Sequence, residues 1–457
     1  MKKSVSWILI GVAFLAALNG QILMATDQQQ EKDRQEQQQW FKDAGLGLFL
    51  HWGIYSVIGG QESWDMVKNY PYARNQEIHG PEAYYALAKD FQPKNYDPDK
   101  WFRAARRAGF GYVLMTTKHH DGYCLWPSKY GTKGTAHSMN GRDLLKPYVD
   151  ACRKNKLKVG FYFSFADWSH PNSLPTYFDY DHKKGPTSQR YRENPFDPIK
   201  GPQAWAENRV RFEEFSAFTM GQIGELLSRY GTIDYWMWDL FTWEQRGVNC
   251  SEKKETLWSY MTAMQPSMLT TDFYEARMPK TRPNELWHAG LLWRGHWGWE
   301  NNPNIKAKPT SWVLEHLAQC RAWGGNMMVC TGPKPDGTME PAFYKLCDEL
   351  SAWMEHSRES VIGTRPLPFG QEKRSNVPIT RKDNNWYLHL SAKHDGRVTV
   401  TVDQNPNRAS LLRTGDELKW TRDGDTVSVT VPQELRTELD DVVRLSWKKD
   451  SLPTQDD

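Results

Sequence analysis

Between its amino-terminal leader and about residue 240, the chain alternates short apolar runs with longer stretches of helical periodicity, and this alternation restricts the folds open to it. Gly47–His51 is a short apolar strand that ends in His-Trp-Gly. Asp97–Ala108 carries Trp101, Phe102, Ala105 and Ala108 at helical spacing, with Asp97 as N-cap, Pro98 in the first turn and Gly109 as the stop. Tyr112–Thr116 reads as a buried strand. It is followed by a helix over Asp143–Asn155 with Leu144, Leu145, Tyr148, Val149 and Cys152 inward, and then by a strand over Lys158–Ser164. A long helix over Asn208–Tyr230, striped by Phe212, Phe215, Phe218, Ile223 and Leu226, precedes a strand over Ile233–Asp239. Repeated β-then-α units imply a parallel sheet with right-handed crossovers. The predicted fold is therefore α/β, a (β/α)8-type barrel over residues 26–362. From Gly363 the texture changes to short alternating runs (Trp386–Ser391, Arg397–Val402, Thr426–Val431, Val442–Trp447) separated by Asp, Asn and Gly turns. These predict a small C-terminal antiparallel β-sandwich over 363–457, packed against the barrel.

Lys2 and Lys3 precede an apolar stretch from Trp7 to Leu18, with small residues at Asn19, Gly20 and Ala25. This is the layout of a signal peptide over residues 1–25, with a retained anchor as the alternative. The expectation is an exported protein, periplasmic or extracellular, with no membrane association once the leader is removed. A formal net charge of +3 on 457 residues, with no run of Lys and Arg, argues against a nucleic-acid surface. The six Cys show no CxxC pair, so buried free thiols are expected rather than a zinc site.

Polar and aromatic residues fall at the carboxyl ends of several predicted strands: His51, His119, Tyr162 and Asp239. Barrel enzymes build their sites at that end. The 22 Trp suit either a large core or sugar contacts, since an indole offers a flat apolar face and one N–H. Glycoside cleavage needs two carboxyl groups, one to attack or stabilise the anomeric carbon and one to protonate the leaving oxygen. Asp239, at the end of Asp234-Tyr235-Trp236-Met237-Trp238, is the candidate nucleophile; a loop-capping Asp is the alternative reading. His119 and His120 are adjacent, so extended geometry would turn them to opposite sides. Neither HExxH nor a carboxylate triad accompanies them, so no metal and no cofactor is expected.

Several segments resemble the α-L-fucosidases of glycoside hydrolase family 29. Leu46-Gly47-Leu48-Phe49-Leu50-His51-Trp52-Gly53-Ile54-Tyr55-Ser56-Val57 is similar to the family's F-G-x-F-x-H-W-G-x-Y-S-V stretch. Thr116-Thr117-Lys118-His119-His120-Asp121-Gly122-Tyr123 resembles its T-x-K-H-H-D-G-F motif, and Gly160-Phe161-Tyr162-Phe163-Ser164 its G-x-Y-x-S strand. Gly332-Pro333-Lys334-Pro335-Asp336-Gly337 resembles its G-P-x-x-D-G segment. The matches run in order over about residues 40–365. The resemblance implies sugar contacts from His51, Glu62, His119, His120 and Tyr162, with Trp64 in the pocket wall and Asp239 as nucleophile. Met237 stands where the family carries a Trp, so the aromatic wall would come from Trp236 or Trp238. For the acid/base the resemblance leaves Glu275 first and Glu285 in reserve. His288, which stands where a Glu is often found, is a third option, either as the acid or as a sugar contact.

The implied activity is that of a retaining exo-α-L-fucosidase acting on a fucosylated oligosaccharide or glycoconjugate. Two alternatives stay open: the same machinery on a galactose-like sugar, or a sugar-binding protein that has lost its acid/base. The segment from Pro171 to Trp205 is expected to wall the cleft.

Overall fold

The computed structural model describes residues 32, 35–66, 78, 80–172, 180–181, 185–186, 202–239, 251–449 and 452–453. The leader over 1–25 and most of the segment 171–205 lie outside the described residues. Seven parallel strands form one sheet: β1 (Leu46–Leu50), β2 (Phe110–Lys118), β3 (Lys158–Ser164), β4 (Tyr235–Asp239), β5 (Asp272–Glu275), β6 (Trp287–Leu292) and β7 (Asn326–Thr331). Their order is β4-β3-β2-β1-β7-β6-β5. At the amino-terminal end of β4 the chain just before β5 comes alongside, where Trp236 N donates to Leu269 O (2.9 Å) and Leu269 N to Asp234 O (3.0 Å). The sheet is thus a curled, barrel-like α/β layer. Among the described residues it has seven strands rather than the eight expected, and β4 and β5 are linked only by the single bridge at Leu269.

The helices form where capping and periodicity dictate. Asp97 Oδ1 accepts from Lys100 N (3.1 Å) at the start of the helix Pro98–Arg107, and Gly109, at φ +90°, turns the chain into β2. Asp143 Oδ1 accepts from Leu145 N and Lys146 N at 2.9 Å each, and so starts the helix Leu145–Lys154. In the helix Pro202–Arg229, Phe215, Ile223 and Leu226 are fully buried, as their spacing predicts. Three more helices are Ser251–Met264, Thr310–Ala322 and Pro341–Ser357; the last two flank β7 and start without a side-chain N-cap bond, Pro341 serving as the first helical residue of the last. Among the described residues eight tryptophans are fully buried, so much of the indole content serves the core. Cys124, Cys152, Cys320, Cys330 and Cys347 are buried free thiols; Cys250 lies outside the described residues.

The C-terminal strands are β8 (Ile379–Lys382), β9 (Asn385–Leu390), β10 (Arg397–Thr401), β11 (Arg408–Leu411), β12 (Trp420–Asp423), β13 (Thr426–Thr430) and β14 (Asp441–Ser446). They pair antiparallel as β8-β9-β14-β11 and β10-β13-β12. Val398, Val400, Val427 and Val429 of the smaller sheet share a core with Trp386, Leu388, Val443 and Leu445 of the larger one. Tyr387 and Val442 belong instead to the barrel core. Strand alternation therefore lets one sheet serve both the sandwich and the barrel. No helix among the described residues is long and apolar enough to cross a membrane.

Candidate active site

The carboxyl ends of β1 to β5 converge on a cavity of about 260 Å³ lined by Phe49, His51, Glu62, Trp64, His119, His120, Tyr162, Met237, Trp238, Asp239, Phe273, Glu275 and Trp297. That volume, just under the usual range for small-ligand sites, suits one sugar ring. Period-two geometry explains the lining. Phe49 and His51, Met237 and Asp239, and Phe273 and Glu275 are each i, i+2 pairs, and each pair points to one face of its strand. Sequence reasoning missed Phe49, Phe273 and Trp297. The first two were discoverable as residues two positions before a candidate site residue; Trp297 lies on the loop after β6 and carries no strand signal.

Asp239 ends β4, and its side chain is 30% exposed. Tyr162, on the adjacent β3, donates its hydroxyl to Asp239 Oδ2 at 2.5 Å, and His120 Nε2 lies 3.8 Å from the same oxygen. Burial, with Asp239 next to it, holds the Tyr162 hydroxyl well above its ordinary range, so it stays a donor.

The two histidines do not point to opposite sides as extended geometry predicted. β2 ends at Lys118, and a turn closed by Gly122 N→His119 O (3.0 Å) brings both rings to the cavity with centroids 4.0 Å apart. Their hydrogen-bond partners set opposite tautomers. Ser164 Oγ donates to Ala166 O (2.7 Å), so at 2.6 Å it accepts from His120 Nδ1–H, and Nε2 of His120 is left as an acceptor. Ser63 Oγ accepts from Asp121 N (2.9 Å), and among the described residues His119 Nδ1 (2.6 Å) is its one hydrogen-bonding neighbour able to take its proton, so Nε2 of His119 carries the hydrogen. Burial pushes both imidazoles down, His120 to about 3, and His51 likewise. All three are neutral hydrogen-bonding groups at physiological pH.

Glu275, at the end of β5, is raised above the ordinary carboxyl range, first by partial burial and then by Asp239 and Glu62. Two carboxyls in one cavity thus differ in character: one accepts a tyrosine hydrogen bond, the other favours its proton. Glu62 adopts φ +45°, a left-handed conformation that costs a non-glycine residue about 1–3 kcal/mol and that clusters at functional sites.

Two sequence expectations are corrected. Glu285 precedes β6 and lines a separate cavity at the amino-terminal end of the strands, with Lys42, Arg282 and Arg365, away from Asp239. His288 is fully buried as the second residue of β6, between the Tyr112 hydroxyl (3.1 Å to Nδ1) and the Tyr235 hydroxyl (2.9 Å to Nε2). It is a core histidine beneath Phe273, pushed down to about 3 by burial, and does not line the cavity. Of the remaining expected residues, Trp236 is fully buried in the barrel core, so the wall is Trp238, and the others all line the one cavity. His119, His120 and Asp239 also offer one donor atom each within 4.8 Å of one another, enough for a metal in principle. A cation there would need His119, whose Nδ1 takes the Ser63 hydroxyl and whose Nε2 carries the hydrogen, to change its tautomer or partner.

An alpha-L-fucosidase family model matches residues 17–359 of the chain. The tissue alpha-L-fucosidase of Rattus norvegicus is 25% identical over 425 residues, covering 86% of each chain. Alpha-L-fucosidase isoenzyme 1 from Paenibacillus thiaminolyticus shares the fold with a TM-score of 0.73 at 27% identity, over 91% of this chain and 99% of that one. A GH29 alpha-L-fucosidase from Bacteroides thetaiotaomicron does so with a TM-score of 0.74 at 24% identity, over 90% and 96%.

Proposed function

The chain belongs to the alpha-L-fucosidase family of glycoside hydrolases, and from that premise we propose that it is a retaining exo-α-L-fucosidase with Asp239 as nucleophile and Glu275 as acid/base. The observation that carries this reading is the shared cavity, in which Asp239 and Glu275 stand among three neutral histidines. Asp239 Oδ attacks the anomeric carbon as the glycosidic C–O bond breaks, and Glu275 gives its proton to the departing oxygen. Glu275, now a carboxylate, takes a proton from water. The resulting hydroxide equivalent attacks the same carbon, releases Asp239 and restores the proton on Glu275.

Tyr162 supports the nucleophile: its O–H holds Asp239 Oδ2 in place and leaves Oδ1 for attack. The donor nitrogen of His119 and the acceptor nitrogen of His120 suit neighbouring hydroxyls of one ring. The rings of Phe49, Phe273 and Trp297, with centroids 6.1 Å apart in each pair, form an apolar patch that suits the C5 methyl of a 6-deoxy sugar. A galactose-like ring would bury its primary hydroxyl there without a partner. The natural substrate is accordingly a terminal α-L-fucosyl residue on an oligosaccharide or glycoconjugate. The leader over 1–25 supports export to the periplasm or the extracellular space.

Hydrolysis of nitrophenyl α-L-fucoside, compared with the matching galactoside, tests the assignment. The expected result is a kcat/KM for the fucoside at least about a hundredfold higher, the scale on which a buried unpaired hydroxyl discriminates. Equal rates, or a preference for the galactoside, would overturn the sugar assignment.

A further inference from the structure

The loop after β6 buries an imidazole between two carboxylates. His296 Nδ1 lies 3.3 Å from Glu62 Oε1, and His296 Nε2 lies 4.0 Å from Glu300 Oε2; all three side chains are 1–2% exposed. Gly298 N is shared as a donor between the same Glu62 Oε1 (3.1 Å) and His296 Nδ1 (3.2 Å). Gly295, at φ +65°, lets Glu300 approach, since a Cβ there would sit 2.3 Å from Glu300 Oε2. Glu62 Oε1 is thus occupied from behind, whereas Glu62 Oε2 is buried without a hydrogen-bond partner on a residue that lines the cavity.

A buried carboxylate stays ionised only with a compensating partner. The other groups that face Glu62 are acids or neutral: Asp65 on its own turn, Tyr55 from the preceding one, Glu275 from β5 and Cys330 from β7. Burial raises the Glu62 carboxyl, and His296 is the first influence against it.

We propose that His296, packed between Glu62 and Glu300, is a positioning residue that orients Glu62 through Oε1, so that Oε2 accepts hydroxyls of the bound sugar. Nδ1 of the imidazole is within hydrogen-bond reach of Glu62 Oε1, whereas Nε2 is buried on the Glu300 side without a hydrogen bond. His296 touches no substrate itself. It acts on binding through Glu62, so its loss falls on KM rather than on kcat. The inference rests on the cavity being a sugar site, and the wild-type rate on nitrophenyl α-L-fucoside tests that separately.

The experiment is steady-state kinetics on that fucoside, from acid to alkaline pH, for wild type, His296→Phe, His296→Gln and Glu300→Gln. His296→Phe keeps a planar ring and removes the donor. Its KM should rise about ten- to a hundredfold at neutral pH, the value of one or two charge-assisted hydrogen bonds, with kcat within a few-fold. Without His296 the raised Glu62 carboxyl stays protonated to higher pH, so the KM of this variant should fall again as pH rises through that value. His296→Gln, which can still donate to Oε1, should recover most of the affinity. Should the phenylalanine variant not fold, Glu300→Gln should still raise KM several-fold at constant kcat. A KM within twofold of wild type in His296→Phe, or in Glu300→Gln, overturns the proposal. So does a pH-independent rise that glutamine fails to rescue, which would mark His296 as merely structural. An inactive wild type would instead sink the fucosidase reading.

Discussion

At the scale of single residues, the site works by giving similar groups different environments. Glu275 is held above the ordinary carboxyl range by burial, Asp239 and Glu62, so its acid form persists to higher pH. If that proton drives aglycone departure, activity falls as pH rises through the raised Glu275 value. The histidines, pushed low by burial, do not set this alkaline limb. Glu275→Gln should then cost about 10²–10⁴-fold in kcat/KM on an alkyl fucoside. It should cost much less on the nitrophenyl fucoside, whose leaving group needs little protonation, and there the alkaline limb should vanish. A variant whose losses on both substrates are equal would remove Glu275 from the acid/base role. The tautomers make a second prediction. Ser63→Ala removes the hydroxyl that fixes His119, and KM should rise about tenfold, one hydrogen bond's worth, while kcat is kept. An unchanged KM would mean that the orientation of His119 does not depend on Ser63.

Secondary-structure elements set where these residues can stand. Gly290 on β6 faces Phe273 so closely that a Cβ would lie 2.5 Å from the Phe273 ring. Gly290→Ala should push that ring into the cavity, weakening sugar binding and costing about 1–3 kcal/mol of stability. A variant with wild-type KM and melting temperature would contradict the tight packing. The same scale explains what was legible in the sequence. The strands that lead to His51, His119 and Asp239 are strongly apolar, and legible caps at Asp97 and Asp143 start the helices before β2 and β3, so both their existence and their carboxyl ends could be read. β5 is four residues long and only partly buried, so its Phe273 and Glu275 carried too little periodicity to mark a strand. The residues lost to sequence reasoning fail for related reasons. His288 has the chemistry of a site residue but sits two residues too early on its strand, and only the register reveals that. His296 lies on a loop where no period applies.

Across the whole molecule, the C-terminal sheets grip the barrel through a buried polar chain. Thr380 Oγ1 donates to Ser360 O at 2.5 Å, after the last barrel helix, and lies 3.1 Å from His389 Nε2, while His389 Nδ1 is 2.8 Å from Asp440 Oδ2. Trp353 Nε1, on that helix, donates to Asp440 O (2.7 Å). Burial raises the Asp440 carboxyl, partly offset by His389. A carboxyl raised on folding favours the folded state below the unfolded value of about 3.9, and this advantage is lost as pH climbs through the folded value. Asp440→Asn keeps the hydrogen-bond geometry without the titration. Its melting temperature relative to wild type should therefore increase as pH rises from about 4 toward neutrality. A difference that does not change with pH would show that the junction holds no titrating carboxyl.

The central claim, that Asp239 and Glu275 act from opposite sides of one anomeric carbon, is tested most directly by azide rescue with product stereochemistry. Asp239→Ala should be nearly inactive on nitrophenyl α-L-fucoside. Azide, entering the space of the missing nucleophile, should restore turnover and yield β-L-fucosyl azide by a single inversion. Glu275→Ala with azide should instead yield the α-azide, because Asp239 has already inverted the centre once. Rescue of Asp239→Ala to the α-azide, or an Asp239→Ala variant with wild-type activity, would contradict the account.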